Sequence, residues 1–386
     1  MNVSTRPASA PAVAHGRTVR YCRRCIMPDS RPRVVFDADG VCNACHNADD
    51  KARIDWAARR EEFLALVEPY RSRRGEWDCI VPWSGGKDSS TIAYRLKVEF
   101  GLNPLLVTFS PLLPTDIGDR NREALIQLGF DHVFCRPNQR VMRHFARRFF
   151  VERGNLKVAW DAGINAAPVR TAVSLGIPLV FYAEHGESEY GGRVLREESR
   201  RVRDLTEVIE HQIGDDPANW TDDVVGERDL NPYLYPDAAD LARVGVKAFY
   251  FSYFFRWSMA SNYEFIRTKI PFATHPAGRT PGTFTGFDSV DDKADNLYYY
   301  MQYVKFGFGR AVRDACRMIQ NDRMTREEAL DLARRFDGEF PAEYLDDILD
   351  YMHLSRAEFD EIVDRHRNPE LWERHGGGWS LRFPPA

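Results

Sequence analysis

The sequence predicts an α/β fold: a doubly wound parallel sheet, preceded by a small cysteine-rich module and followed by a helical subdomain. Three observations carry this. Short apolar runs alternate with helix-patterned segments from Asp78 to Glu187. Two Cys-x-x-Cys pairs stand within the first 45 residues. Past Asp291 the pattern turns helical. Strands alternating with helices imply a parallel sheet covered on both faces.

In chain order, residues 1–19 read as a disordered tail, because "MNVSTRPASAPAVAHGR" has no continuous apolar stretch of the signal-peptide kind. Residues 20–50 hold Cys22, Cys25, Cys42 and Cys45, with sixteen residues between the pairs. That is the spacing of a tetrahedral Zn²⁺ site, and it favours zinc over an iron–sulfur cluster. Four protein ligands leave no open position, so the zinc would be structural. His46 is adjacent and is a minor alternative ligand. "VVFDADGVCNAC" is expected to form a strand, an Asp-Gly turn and a second short strand, which makes a zinc ribbon. A polar amphipathic helix from about Asn47 to Ser72 follows, so residues 51–75 form a linker helix.

Residues 76–275 carry the alternating pattern. "DCIVPW", "NPLLVTFS", "DHVFCRP" and "IPLVFYAEHGE" read as strands. "SSTIAYRLKVEF" and "IGDRNREALIQLGF" read as helices, and "PVRTAVSLG" as the end of one. Gly and Pro crowd between Thr274 and Gly286 and mark a loop. Residues 276–386 form the helical subdomain, with capping boxes at Thr325/Glu328 and Ser355/Glu358.

The chain has 386 residues, 44% hydrophobic and 28% charged, and a formal charge of −4. No general field draws it to nucleic acid or to an anionic membrane. The basic clusters "RHFARRFF" and "REESRRVR" read as solvated helix faces. No apolar run is long enough to cross a bilayer. A cytoplasmic protein is expected, in which seven cysteines stay reduced.

"CIVPWSGGKDSSTIAYRL" places a Gly-rich loop between the first strand and a helix, at the carboxyl edge where open α/β sheets bind ligands. Gly85 and Gly86 let the backbone turn tightly and approach a ligand. The N–H groups around Asp88 to Ser90 and the helix dipole favour an anion. Ser84, Ser89 and Ser90 add hydroxyls, and Lys87 adds charge. This is a pyrophosphate cradle without the GxxxxGK[ST] spacing of a Walker loop. Asp88 would repel phosphate unless it holds Mg²⁺, so Mg²⁺ is implied.

Two further stretches bear on the reaction. "FYAEHGESEYGG" offers Glu184, His185, Glu187, Glu189 and Tyr190 at the same sheet edge, for holding Mg²⁺ or orienting an amine. "YYYMQYVKFGFGRAVRDACRMI" places Lys305 and Arg310 beside glycines and aromatics, which suits a nucleotide-sugar pyrophosphate and base.

The loop resembles the S-G-G-x-D-S loop of the PP-loop, or N-type, ATP pyrophosphatases. "YCRRCIMPDSRP", "CNAC", "PWSGGKDSS", "EHGESEYGG" and "YVKFGFGRA…MTREEAL", in this order from Tyr21 to about Arg367, resemble the N-acetyl sugar amidotransferase family of bacterial surface-polysaccharide and nonulosonic-acid pathways. The resemblance implies that ATP adenylates the oxygen of an acetamido group on a nucleotide-activated sugar and releases pyrophosphate. Ammonia then displaces AMP to leave an acetamidino group. It implies ATP binding by Ser84, Gly85, Gly86, Lys87, Asp88, Ser89 and Ser90, with Asp88, Lys87, Glu187 and His185 nearest the chemistry. Glu184, Glu189, Tyr190, Lys305 and Arg310 would meet the sugar nucleotide.

A glutaminase of its own would need a nucleophilic Cys with a His partner. Cys79 and Cys316 read as core, and Cys135 has no partner nearby in sequence. Ammonia is therefore expected from outside, and the resemblance implies a separate glutaminase and a barrel subunit similar to those of imidazole-glycerol-phosphate synthase. The rival readings are a tRNA thiolase or lysidine synthase of the same superfamily, against which the acidic net charge argues, and a non-catalytic zinc-ribbon scaffold, against which the intact loop argues.

Overall fold

The structure, a computed structural model, describes residues 18–72, 74–192, 197–203, 208–209 and 213–385. The expected tail lies outside them but for its last two residues, and so does part of the basic cluster "REESRRVR". Five short strands build the central sheet: β1 (Cys79–Pro82), β2 (Pro104–Phe109), β3 (Asp131–Cys135), β4 (Leu179–Tyr182) and β5 (Lys247–Tyr250). All pair in parallel, in the order β3-β2-β1-β4-β5. The chain winds outward from β1 through β2 to β3, then returns to the other side of β1 for β4 and β5. The loops after β1 and β4 therefore diverge at a topological switch point, where such sheets bind ligands.

Alternation along the strands supplies two apolar faces. Cys79, Val81, Leu106, Leu179 and Phe181 face one side, where Phe63, Val67, Ile92 and Ala93 cover them. Ile80, Leu105, Val107, Val180 and Tyr182 face the other, with Ala172 against them. The helices are α1 (Asn43–Ala52), α2 (Trp56–Val67), α3 (Lys87–Tyr94), α4 (Asp116–Ile126), α5 (Gln139–Arg153), α6 (Val158–Leu175), α7 (Gly186–Tyr190), α8 (Ala238–Val244), α9 (Phe251–Phe254), α10 (Met259–Ile266), α11 (Ala294–Phe306), α12 (Arg310–Gln320), α13 (Arg326–Phe336), α14 (Leu345–Met352) and α15 (Arg356–His366). Phe145, Phe149 and Phe150 of α5 join Leu297, Met301 and Val304 of α11, Ile348 of α14 and Phe359 of α15 in one core. The helical subdomain thus packs directly on the sheet domain. Both expected capping boxes form, at Thr325/Glu328 and Ser355/Glu358.

Four elements differ from the sequence expectation. The ribbon strands shrink to the single bridges Tyr21↔Pro28 and Phe36↔Cys42. Pro28 and Pro32 cannot donate to a ladder, and Arg33 takes a φ of 66°. The Asp-Gly turn does form, with Gly40 at φ 77° and the Val41 N–H donating to the Asp37 carboxylate over 2.8 Å. The linker helix is two helices, α1 and α2, because Asp55 caps α2 by accepting the N–H groups of Ala57 and Ala58. β5 was not anticipated: its four residues run straight into α9. The C-terminus is not wholly helical, since β6 (Trp372–His375) and β7 (Gly378–Leu381) form an antiparallel hairpin. Gly376 and Gly377, both at positive φ, make its two-residue turn. No helix among the described residues is long and apolar enough to cross a membrane.

Candidate active site

The loop after β1 makes its turn at Gly85, where φ is 90° and a Cβ would stand 2.6 Å from Cγ of Arg122. Only glycine fits there. The Ser84 hydroxyl accepts the Gly86 N–H over 3.1 Å, and Gly86 is the N-cap of α3. The first-turn N–H groups of α3 have no acceptor within the helix, and Gly86 to Ser89 line the cleft. Lys87 is buried beside this turn, 2.8 Å from Asp88 and ion-paired to Asp288. Burial alone would lower the Lys87 pKa, but Asp288 and Asp88 outweigh it and hold it above the ordinary lysine value. Asp88 also accepts the Asn262 amide over 2.7 Å. The Ser90 hydroxyl, fully buried, accepts the Trp83 indole N–H over 2.9 Å, so this expected phosphate ligand faces the core.

A cavity of about 490 Å³ opens in front of the loop. Ser84, Gly86, Lys87, Asp88 and Ser89 form one wall, and Glu184 forms part of another. Further lining comes from the start of α6 and from the segment around the start of α11: Lys157, Asp161, Asp288, Asp291 and Asp295. Lys157 bonds Asp292 at 3.3 Å and pairs with Asp295. Burial works to raise the Asp288 carboxyl, but Lys87, Arg313 and Arg310 together hold it well below the usual carboxylate range. The Glu184 carboxyl is raised, by burial and then by the neighbouring Asp88.

A second cavity, of about 530 Å³, adjoins the first. Asp161, Gly186, Tyr190, Tyr298 and Tyr299 line both. Its remaining wall draws on distant parts of the chain, among them Arg31 and Arg33 of the cysteine module, His185 and Glu187 after β4, and Lys305 and Arg313 of the C-terminal helices. Lys305 donates to the Arg153 carbonyl over 2.8 Å, and burial, then Arg153, lowers its pKa. The Arg313 guanidinium stacks 4.4 Å from the Tyr299 ring centre and bonds Asp288 at 3.0 Å.

The stretch after β4 is held from outside by the cysteine module. Asn43 donates to the Gly192 carbonyl over 2.9 Å, Asn47 to the Ser188 carbonyl over 3.0 Å, and Arg31 to the Gly191 carbonyl over 3.0 Å. Arg33 bonds both oxygens of Glu187 at 3.1 Å, and Lys51 pairs with Glu189. Glu189 is therefore committed to α1 and lies outside both cavities. His185 caps α7: its Nδ1 accepts the Ser188 N–H over 3.1 Å. Arg310 is buried against Asp288 and Asp314, with its guanidinium 4.8 Å from the Tyr299 ring, and lines neither cavity. Lys305 and Arg310, paired in the sequence reading, are separated by the turn at Gly307, where φ is 73°.

The cysteine module itself fits a metal. Cys22, Cys25, Cys42 and Cys45 are all buried, and their sulfurs lie within 4.8 Å of one another. Cys22 and Cys45 are 3.9 Å apart and Cys25 and Cys42 are 3.7 Å apart. Zn–S bonds of about 2.3 Å would set tetrahedral sulfurs about 3.8 Å apart. The Met27 N–H points at the Cys25 sulfur and the Cys42 N–H at the Cys22 sulfur, which favours thiolates. His46 instead bonds Asp37, at 2.7 Å. For Mg²⁺, Asp88 offers a carboxylate at the cleft wall, which suits an ion bound by one or two carboxylates plus substrate phosphates.

Sequence reasoning did not find Asp161, Lys157, Asp288, Arg313, Arg31 or Arg33. The run "FDSVDDKAD" was a signal, since four acids before an aromatic helix need cations or a ligand.

The segment around the start of α11 has relatives. Residues 281–383 match the family described as LPS biosynthesis protein WbpG-like, C-terminal domain. No curated protein matches the chain. The match supports a lipopolysaccharide-biosynthesis protein for this part of the chain, and it spans Asp288, Asp291, Asp295, Tyr298, Tyr299, Lys305 and Arg313.

Proposed function

We propose that the protein is an ATP-dependent amidotransferase that converts an acetamido group of a nucleotide-activated sugar to an acetamidino group, for lipopolysaccharide or nonulosonic-acid synthesis. The observation that carries this reading is the pair of adjoining cavities. One faces the phosphate loop, and the other is walled by the C-terminal helices of the lipopolysaccharide-type match. An AMP-forming transfer needs the α-phosphate and the acceptor amide to meet, and the seam between the cavities offers a place for that.

In this reading the Ser84 to Ser89 loop binds the phosphates through first-turn N–H groups and hydroxyls, and Lys87, fixed between Asp88 and Asp288, balances the charge that develops on pyrophosphate. Mg²⁺ bound at Asp88 would neutralise the phosphates. The amide oxygen attacks the α-phosphorus, and the bond to pyrophosphate breaks. Ammonia then attacks the imidate carbon and AMP leaves. Lys305 and Arg313 hold the anionic part of the sugar nucleotide, with Tyr298 and Tyr299 along its length. Cys22, Cys25, Cys42 and Cys45 would hold Zn²⁺, and the module so fixed would keep Arg31 and Arg33 on the cavity wall.

Ammonia is supplied by a separate glutaminase through a barrel-type subunit. Cys79 and Cys316 are fully buried, and burial raises the Cys79 and Cys135 thiols above the ordinary cysteine value, which disfavours a nucleophilic thiolate. The test is pyrophosphate release from ATP with ammonium chloride across UDP- and CMP-activated N-acetyl sugars. AMP formation with a product lighter by about one mass unit is expected. Release that appears only when tRNA is added would overturn the reading in favour of an RNA-modifying enzyme.

A further inference from the structure

Five residues line both cavities, and only one of them has a side chain suited to accept a proton near neutral pH. Gly186 has none. Burial holds the Tyr190 and Tyr298 phenols far above their ordinary value. The Tyr299 hydroxyl accepts from Arg313 over 2.8 Å. The remaining residue, Asp161, sits in the first turn of α6, and among the described residues none hydrogen-bonds its carboxyl.

We propose that Asp161 is the general base that takes a proton from the attacking amine at the seam of the two cavities. This rests on the amidotransferase reading above. Ammonia forms the C–N bond at the imidate carbon as the C=N π pair moves onto the sugar nitrogen, and the added nitrogen becomes a substituted ammonium. Asp161 takes one proton from that nitrogen. The nitrogen lone pair then forms the C=N bond as the C–O bond to AMP breaks, and that electron pair leaves with AMP. The proton passes from Asp161 to water through the open cavity.

The surroundings suit this role. Lys157, the N-cap of α6, is engaged by Asp292 and Asp295 and does not bond Asp161. Asp295 and Tyr298 face it from α11, and Lys305 and Arg313 stand across the second cavity. Burial raises the Asp161 carboxyl to about 7, opposed by Lys157 and reinforced by Asp295. A base with this value is half ionised near neutral pH and still takes a proton readily.

The experiment uses the full chain with Asp161→Asn and Asp161→Glu. Single-turnover pyrophosphate release reads adenylation, and amidine formation from ammonium chloride reads amination. Asp161→Asn is expected to keep the pyrophosphate burst within about 3-fold and to lose amidine formation by at least about 100-fold. At a fixed concentration of free ammonia, the wild-type amination rate should rise with pH through about 7, and the Asn variant should lose that rise. Asp161→Glu should recover part of the rate with the pH dependence. An Asn variant that forms amidine at the wild-type rate and with the wild-type pH profile would overturn the assignment alone. So would equal loss of both half-reactions in the Asn and Glu variants. Wild-type silence on pyrophosphate release would overturn the amidotransferase reading and the assignment with it.

Discussion

The two cavities are of similar size but hold their lysines differently. In the first, each lysine is shared by two carboxylates: Lys87 lies between Asp88 and Asp288, and Lys157 between Asp292 and Asp295. The second keeps Lys305 bonded to a carbonyl, with no carboxylate paired to it among the described residues. A cleft in which carboxylates outnumber cations takes a phosphate chain together with a divalent counter-ion. A buried cation held by a neutral partner instead favours an anionic ligand that completes the pairing. On the proposed function, ATP takes the first cavity and the anionic acceptor the second.

That division can be broken most severely at Asp88. Asp88→Asn should reduce pyrophosphate release by more than about 100-fold while the circular dichroism spectrum stays native. Wild-type turnover in that variant would remove Asp88 from the reaction. Next comes the cysteine module. Cys22→Ser should release zinc, measured by metal stoichiometry, and loosen Arg31 and Arg33 from the second cavity. Its KM for the sugar nucleotide should rise by about 10-fold or more, and the KM for ATP much less. Retained zinc would refute the ligand set.

Lys305→Met keeps the length of the side chain and removes its charge. A lost charge-assisted hydrogen bond is worth about 1.5–3 kcal/mol. The KM for the sugar nucleotide should therefore rise about 10- to 100-fold with the KM for ATP unchanged. Equal effects on both would erase the distinction between the cavities. The smallest effect is a control. Ser355→Ala removes the N-cap of α15, remote from both cavities, and should cost about 1 kcal/mol of stability in a urea titration with both KM values unchanged.

The first cavity was largely legible in the sequence because its key wall is contiguous. Ser84 to Ser89 sit between an apolar strand and a helix, and the two glycines announce the turn. Strands β1 to β4 were legible for the same local reason. The second cavity was not. Arg33, Glu187 and Arg313 are brought together only by the docking of the cysteine module and the C-terminal helices onto the loop after β4. Lys305 and Arg310, close in sequence, diverge because Gly307 ends α11 with a left-handed turn. Glu189 looked like a site carboxylate, but its partner is Lys51, on a helix more than a hundred residues earlier. Ser90 looked like a phosphate ligand, but Trp83 claims its hydroxyl. The hairpin β6–β7 escaped notice because three consecutive glycines hide the alternation on either side.

The claim that one reaction joins both cavities is tested most directly by the fate of a single oxygen atom. The acetamido oxygen of the sugar nucleotide would be labelled with ¹⁸O and the AMP formed in the presence of ammonium chloride examined by mass spectrometry. The expected result is AMP carrying the label, because the amide oxygen leaves on the α-phosphorus. Unlabelled AMP, with the label kept on the sugar, would contradict it and place ATP cleavage in a different reaction.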